Sequence, residues 1–223
     1  MGPAIGDILP LALGIAVSPI PVIAAILMLL SPKAKGTSLG FLAGWVIGVA
    51  LATTVFTVVS SLIPAEDPDE AKPVVGVIKI ILGAVLLLLA AKQWRSRPAH
   101  GETAALPKWM SAIDTMTPAK ALVLGFLLSA LNPKNLVMAI SAGVVIGPAA
   151  LTTGETVATV AIFVLLAVST VLVPVLAYLA ASDRMRAPLE ALRVWLVQNN
   201  STVMSILLLA IGVASIGKGI GSF

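Results

Sequence analysis

Long apolar runs, broken at intervals by short polar clusters, dominate the pattern along this chain. Runs long enough to cross a bilayer as helices need roughly 20 apolar residues. Six such spans emerge, over residues 7–30, 37–63, 73–94, 119–146, 156–181 and 202–220. The pattern predicts an all-α integral membrane protein folded as one domain, residues 1–223. Two shorter stretches have apolar residues at helical spacing instead. One is Leu106, Trp109, Met110 and Ile113, expected as a short amphipathic helix at the membrane surface. The other, residues 183–197, puts Met185, Leu189, Leu192 and Leu196 on one stripe, with Arg186, Glu190 and Arg193 off it.

Two spans are interrupted. The first holds Ser18-Pro19-Ile20-Pro21 at its middle, and the fourth holds Leu131-Asn132-Pro133-Lys134-Asn135. Proline lacks an N–H and clashes one turn back, so each run should be a broken helix. The freed backbone groups need partners that lipid cannot give, and Asn132 and Asn135 can supply them. Lys134 near mid-membrane costs roughly 2.5–3.5 kcal/mol and should face protein or water. Lys79, in the first third of the third span, has two readings. It snorkels to the surface, or it turns inward and joins Lys134 in a positively charged pathway.

The broken spans open two halves of three spans each. Residues 1–95 form the first repeat, 96–117 a cytoplasmic linker and 118–223 the second repeat. Each half closes on a glycine-bearing span, Leu82-Gly83-Ala84 and Ile211-Gly212-Val213. A duplicated unit of three spans inserts its second copy upside down. Inverted repeats whose broken helices meet near the midplane are a transporter architecture. In the second span Gly36, Gly40, Gly44 and Gly48 recur every fourth residue. That stripe fits close packing within the chain first, and a sliding surface or homodimer seam second.

Composition agrees with the pattern: of 223 residues, 59% are hydrophobic and 11% charged, which fits no ordinary soluble domain. The net charge of +4 matters less than its placement. Lys33, Lys35, Lys92, Arg95, Arg97, Lys108, Lys120, Arg184, Arg186 and Arg193 fall on one side of the six-span topology, and only Lys72 and Lys218 on the other. The positive-inside rule puts both termini outside the cytoplasm. The first run is too long for a signal peptide core and is read as a retained span.

The chemistry is sparse. There is no cysteine, and the one histidine, His100, falls in a polar loop, so no metal or cofactor is expected. The acidic run 64–70 reads as a solvated loop, since calcium loops space their ligands more regularly and include a turn glycine. No phosphate-binding GxxxxGK[ST] sequence occurs. The spans offer no nucleophile, acid–base pair or metal cluster, so an enzyme is not expected. The basic loops at a membrane face suit anionic lipid heads rather than nucleic acid.

Pro19-Ile20-Pro21 and Asn132-Pro133-Lys134-Asn135 resemble the two proline motifs of the LysE exporter superfamily. The closer resemblance is to its Sap/GAP branch, the sulfolipid- and glycopeptidolipid-addressing proteins of mycobacteria and relatives. It extends over nearly the whole chain and includes Pro107-Lys108-Trp109-Met110, Thr117-Pro118 and Ile216-Gly217-Lys218-Gly219. The order and spacing of these short motifs carry it. The resemblance implies a bacterial inner-membrane protein that helps move cell-envelope lipids outward, while the wider superfamily implies export of amino acids or ions. Amino-acid exporters tend to have a glycine between the first two prolines and a nearby asparagine, where this chain has Ser18-Pro19-Ile20-Pro21.

Three functions follow. The first is export of an envelope lipid or lipid precursor, held by Ser18, Pro19, Pro21, Asn132, Pro133, Lys134, Asn135 and, if it faces inward, Lys79. The second is export of a small amino acid or anion through a narrow polar cavity. The third is a non-transporting scaffold that docks lipid-synthesis or export partners through its basic loops.

Overall fold

The computed structural model describes residues 1–62, 73–97 and 108–223. Eight α-helices form it, with no strand among the described residues. They are α1 (Gly2–Ala16), α2 (Pro19–Leu30), α3 (Ala34–Ser60), α4 (Pro73–Arg95), α5 (Pro118–Ala130), α6 (Pro133–Ile146), α7 (Thr153–Ala180) and α8 (Ser182–Ile220). The acidic run 64–70, Lys72, His100 and Leu106-Pro107 lie outside the described residues, as do the side chains of Lys108 and Trp109.

Helices α3, α4, α7 and α8 are each long and apolar enough to cross a membrane. The other four join as bent pairs: α1 and α2 meet at 53°, α5 and α6 at 61°. Counting each pair as one span gives six, so both proline breaks expected in the first and fourth spans are present. The Asp7–Lys218 ion pair holds the start of α1 against the end of α8. Both termini therefore lie at one end of the bundle.

Helix ends follow local chemistry. Thr117 caps α5, its hydroxyl accepting from the Lys120 N–H at 3.3 Å, with Pro118 in the first turn, where a missing N–H costs nothing. Helix α7 begins at Thr153 rather than 156, because Thr152 and Glu155 form a capping box. Helix α1 likewise begins at Gly2, earlier than residue 7.

One predicted element differs in extent. Residues 183–197 are not a separate surface helix but run without a break into the last span as the 39-residue α8. Pro188 lies inside this helix without ending it, and Leu189 and Leu196 turn into the core while Leu192 stays partly exposed. The short helix expected around Trp109 is present as the 3-10 helix Lys108–Thr115, beginning two residues later than Leu106. Its Met110 and Ile113 are buried in the core, and the segment packs on α2.

Glycines decide how closely helices approach. The Gly36–Gly48 stripe of α3 is the seam with α5. A Cβ on Gly40 would strike the Pro118 carbonyl, and one on Gly44 the Leu122 carbonyl; reciprocally, one on Gly125 would strike Phe41. The stripe is therefore used within the chain. Helices α4 and α8 meet in a second seam of the same kind. A Cβ on Gly83 would lie 2.8 Å from the Gly212 carbonyl, and one on Gly212 would lie 3.1 Å from the Gly83 carbonyl. Trp45, Phe41, Phe163 and Met138 are among the largest fully buried side chains of the core.

Candidate functional site

Proline 19 ends α1 and starts α2. It has no N–H for the Ile15 carbonyl, and the Ser18 N–H turns to the Ala16 carbonyl at 2.8 Å, so the Gly14 carbonyl loses its intrahelical donor. Lys134 replaces it: the ammonium Nζ donates to Gly14 O at 2.6 Å. Thr170 of α7 donates its hydroxyl to Ala16 O at 2.5 Å. The C-terminus of the half-helix α1 is thus capped by side chains from α6 and α7. A cation there also suits the negative end of the helix dipole.

The second break is closed locally. Pro133 has no N–H for the Ser129 carbonyl, and Asn135 Nδ2 donates to Ser129 O at 3.4 Å and to Leu128 O at 3.3 Å. Asn132 caps α6, its Oδ1 accepting from the Lys134 N–H at 3.0 Å. The two carboxamides do what the broken helix requires.

These residues bring the N-termini of α2 and α6 to one cavity of about 210 Å3. Ser18, Pro19 and Ile20 enter from α2, and Asn132, Pro133 and Lys134 from α6; Lys92, Gln93 and Asn200 complete its polar wall. Ser18 occupies the cap position of α2 without making a side-chain cap bond. Lys134 is only 7% exposed. Besides Gly14 O its ammonium has a distant contact, Met204 Sδ at 4.0 Å. No carboxylate pairs with it among the described residues. Two positive helix ends, a buried ammonium and Lys92 line this cavity, with the negative end of α1 met by Lys134.

Not every predicted residue lines it. Pro21 is buried inside α2, and Asn135 is buried behind the break. Lys79 lies at a different level. It lines a smaller cavity of about 40 Å3 with Asp7, Ser141 and Lys218. The two cavities stack along the α4–α8 seam: residues 200–208 of α8 border the larger and 211–218 the smaller. Gly14, Met138 and Ile211 lie between them. A Cβ on Gly14 would lie 2.8 Å from Ile211 Cδ1 and 3.0 Å from Met138 Cε, so α1 packs closely on α8 and α6 here.

Several contributors escaped the sequence reading. Gly14 and Thr170 look like ordinary span residues, and only the α1 break reveals the carbonyls they present or cap. Lys92 reads as a loop cation, yet it stands in the last turn of α4 at the cavity. No group of three or more potential metal-ligating His, Cys, Asp or Glu side chains occurs among the described residues.

An all-helical bundle with four to six membrane-length spans, two of them broken around a buried lysine, defines a multi-pass membrane protein. Residues 8–221 match the family model described as Sap, sulfolipid-1-addressing protein, and the chain belongs to that family. No curated protein and no solved structure gives a match.

Proposed function

We propose that this protein is a transporter, not an enzyme. It exports an anionic or polar-headed envelope lipid, or a lipid precursor, across the bacterial inner membrane. The head is held where the broken helices meet. One observation carries this reading: the Lys134 ammonium is buried at a cavity that receives two helix N-termini, with a single carbonyl partner and no carboxylate among the described residues. A cation so placed has donors to spare for a phosphate, sulfate or carboxylate. Membership of a family described as sulfolipid-addressing supports a lipid as cargo, and the two proline motifs resemble those of the LysE exporter superfamily.

The architecture supports alternating access through two inverted repeats, 1–95 and 118–223. An axis between Gly83 and Gly212 would exchange the α4 and α8 positions equidistant from them. Gly76 faces Gly219 across the seam, each Cβ being within 3.0 Å of the other's carbonyl. The exchanged positions, Ser205 and Ala90, are likewise small and buried. The larger cavity opens toward the end with Lys92 and Arg95, the cytoplasmic end by the positive-inside rule. The termini and the Asp7–Lys218 pair then lie outside, and the Gly14–Met138–Ile211 layer divides the two sides. With no phosphate-binding loop in the sequence, the driving force is the proton-motive force or a partner protein.

The polar cavity alone would also suit a small carboxylate, so export of a small anion is the second reading. Wild-type protein in liposomes, given fluorescent anionic and zwitterionic lipids and, in parallel, labelled amino acids, separates the two. Translocation selective for the anionic lipid is expected. Amino-acid flux without lipid movement would replace the first reading with the second. No flux of either kind from folded protein would leave the scaffold that docks lipid-synthesis enzymes.

A further inference from the structure

Beside the polar cavity, and sharing Ser18 and Pro19 with it, runs an apolar groove of about 390 Å3. Its floor is Ala16, Val17 and Val22 at the α1–α2 break; its walls are Thr170 and Val173 of α7 and Leu192 and Leu196 of α8. It opens sideways, for Val173 is 62% exposed. The hydroxyls of its α7 wall are spent on helix carbonyls, Ser169 on Leu166 O at 2.7 Å and Thr170 on Ala16 O. The bend at Pro19 and the internal Pro174 of α7 shape the groove.

We propose that this groove seats an acyl chain of the lipid whose anionic head occupies the polar cavity, with Ser18-Pro19 as the sill between head and tail. The proposal rests on the lipid-export reading above and extends it to the tail. Continuity is the argument. A head on Lys134 can stay attached to its tail only if the tail leaves through the side of the bundle. Ser18 is small, it does not cap α2 with its side chain, and it borders both spaces. A tail gains little by moving from the bilayer into an apolar groove, because lipid chains are as apolar as leucine. The groove therefore acts by position. It holds the tail beside the break while the head binds, and the head supplies the affinity. A small soluble anion would have no use for this exit.

The test is photocrosslinking on the full chain in phosphatidylcholine liposomes. The probes are phosphatidylglycerol and phosphatidylcholine, each with a diazirine on the same position of the acyl chain. Peptide mapping compares the groove, residues 169–174 and 192–196, with Val123, an exposed residue of α5. The expected result is groove labelling severalfold above Val123 with phosphatidylglycerol, and much less contrast with phosphatidylcholine. Val173→Trp, at an exposed position that does not threaten folding, should remove the groove label and slow lipid translocation, while glycerol phosphate still binds the polar cavity. Uniform labelling of both faces, or labelling blind to the head, would overturn the groove and leave any measured lipid export standing. So would normal translocation by Val173→Trp. Head-dependent groove labelling by a protein that translocates no lipid would uphold the groove as a lipid site and overturn the export reading instead.

Discussion

Replacing Lys134 with methionine removes one charge from the middle of the bundle and keeps most of the side chain's volume. Its effects on folding and on substrate should separate. On the folding side two terms oppose. The Gly14 carbonyl loses its donor at 2.6 Å, and a buried unsatisfied acceptor costs about 1–3 kcal/mol. Against that, the chain no longer places an ammonium at mid-membrane, which relieves roughly 2.5–3.5 kcal/mol. The terms nearly cancel, so thermal unfolding in detergent should shift little. On the substrate side only a loss remains. A hydrogen bond to a charged group contributes about 1.5–3 kcal/mol, and each 1.4 kcal/mol is about tenfold in affinity. Lys134→Met should therefore weaken binding of an anionic head by about ten- to a hundredfold and nearly abolish its translocation in liposomes. Paired unfolding and flux measurements on one preparation make the check. Wild-type flux in the variant refutes a role in binding. A large fall in stability matching the fall in flux refutes the balance of terms and makes Lys134 a structural cap only.

Three further outcomes follow from the packing. Asn135→Leu strips the side-chain donor from the Leu128 and Ser129 carbonyls, and should destabilise the protein by about 1–3 kcal/mol, read as an earlier unfolding transition; an unchanged transition would mean other donors serve that break. Gly44→Val drives a side chain into the α5 backbone and should cost at least about 1–3 kcal/mol as overpacking, visible as reduced yield and stability, whereas exposed Val123→Ala should be close to neutral. Asp7→Asn breaks an exposed ion pair worth no more than about 1 kcal/mol, so stability should hold. If the pair latches the smaller cavity, flux should rise, and flux identical to wild type would show that it latches nothing.

The spans were legible because lipid admits few alternatives. A backbone in hydrocarbon must bond within its own segment, so apolar run length nearly dictates helix count. Both breaks were legible for a similarly local reason: Pro19 and Pro133 lack the N–H that their carbonyls one turn back require, and Ser18 and Asn132 beside them take the N-cap positions, whereas Pro10, Pro174 and Pro188 lie inside unbroken helices. Asn132 and Asn135 were predicted to repair the second break, and both do so within seven residues along the chain. The glycine stripe on α3 pointed to a close helix contact, and α5 proved to be the partner.

What the sequence could not decide depends on contacts between distant residues. That Lys134 caps Gly14, 120 positions away, and that Thr170 reaches Ala16 across 154, are consequences of how α1, α6 and α7 pack. Lys79 and Lys134 share a sign and a membrane setting, yet they fall in different cavities because they stand on opposite sides of the Gly14–Met138–Ile211 layer. Lys92 joins the site only because α4 lies against α8. The 183–197 stripe gave its helical period but not its continuity with the last span, since periodicity records a face and not where a helix ends. Local chemistry along one chain determined the helices and where they break; tertiary packing alone decided which broken ends face one another, and so where the charge, the cavity and the apolar groove come together.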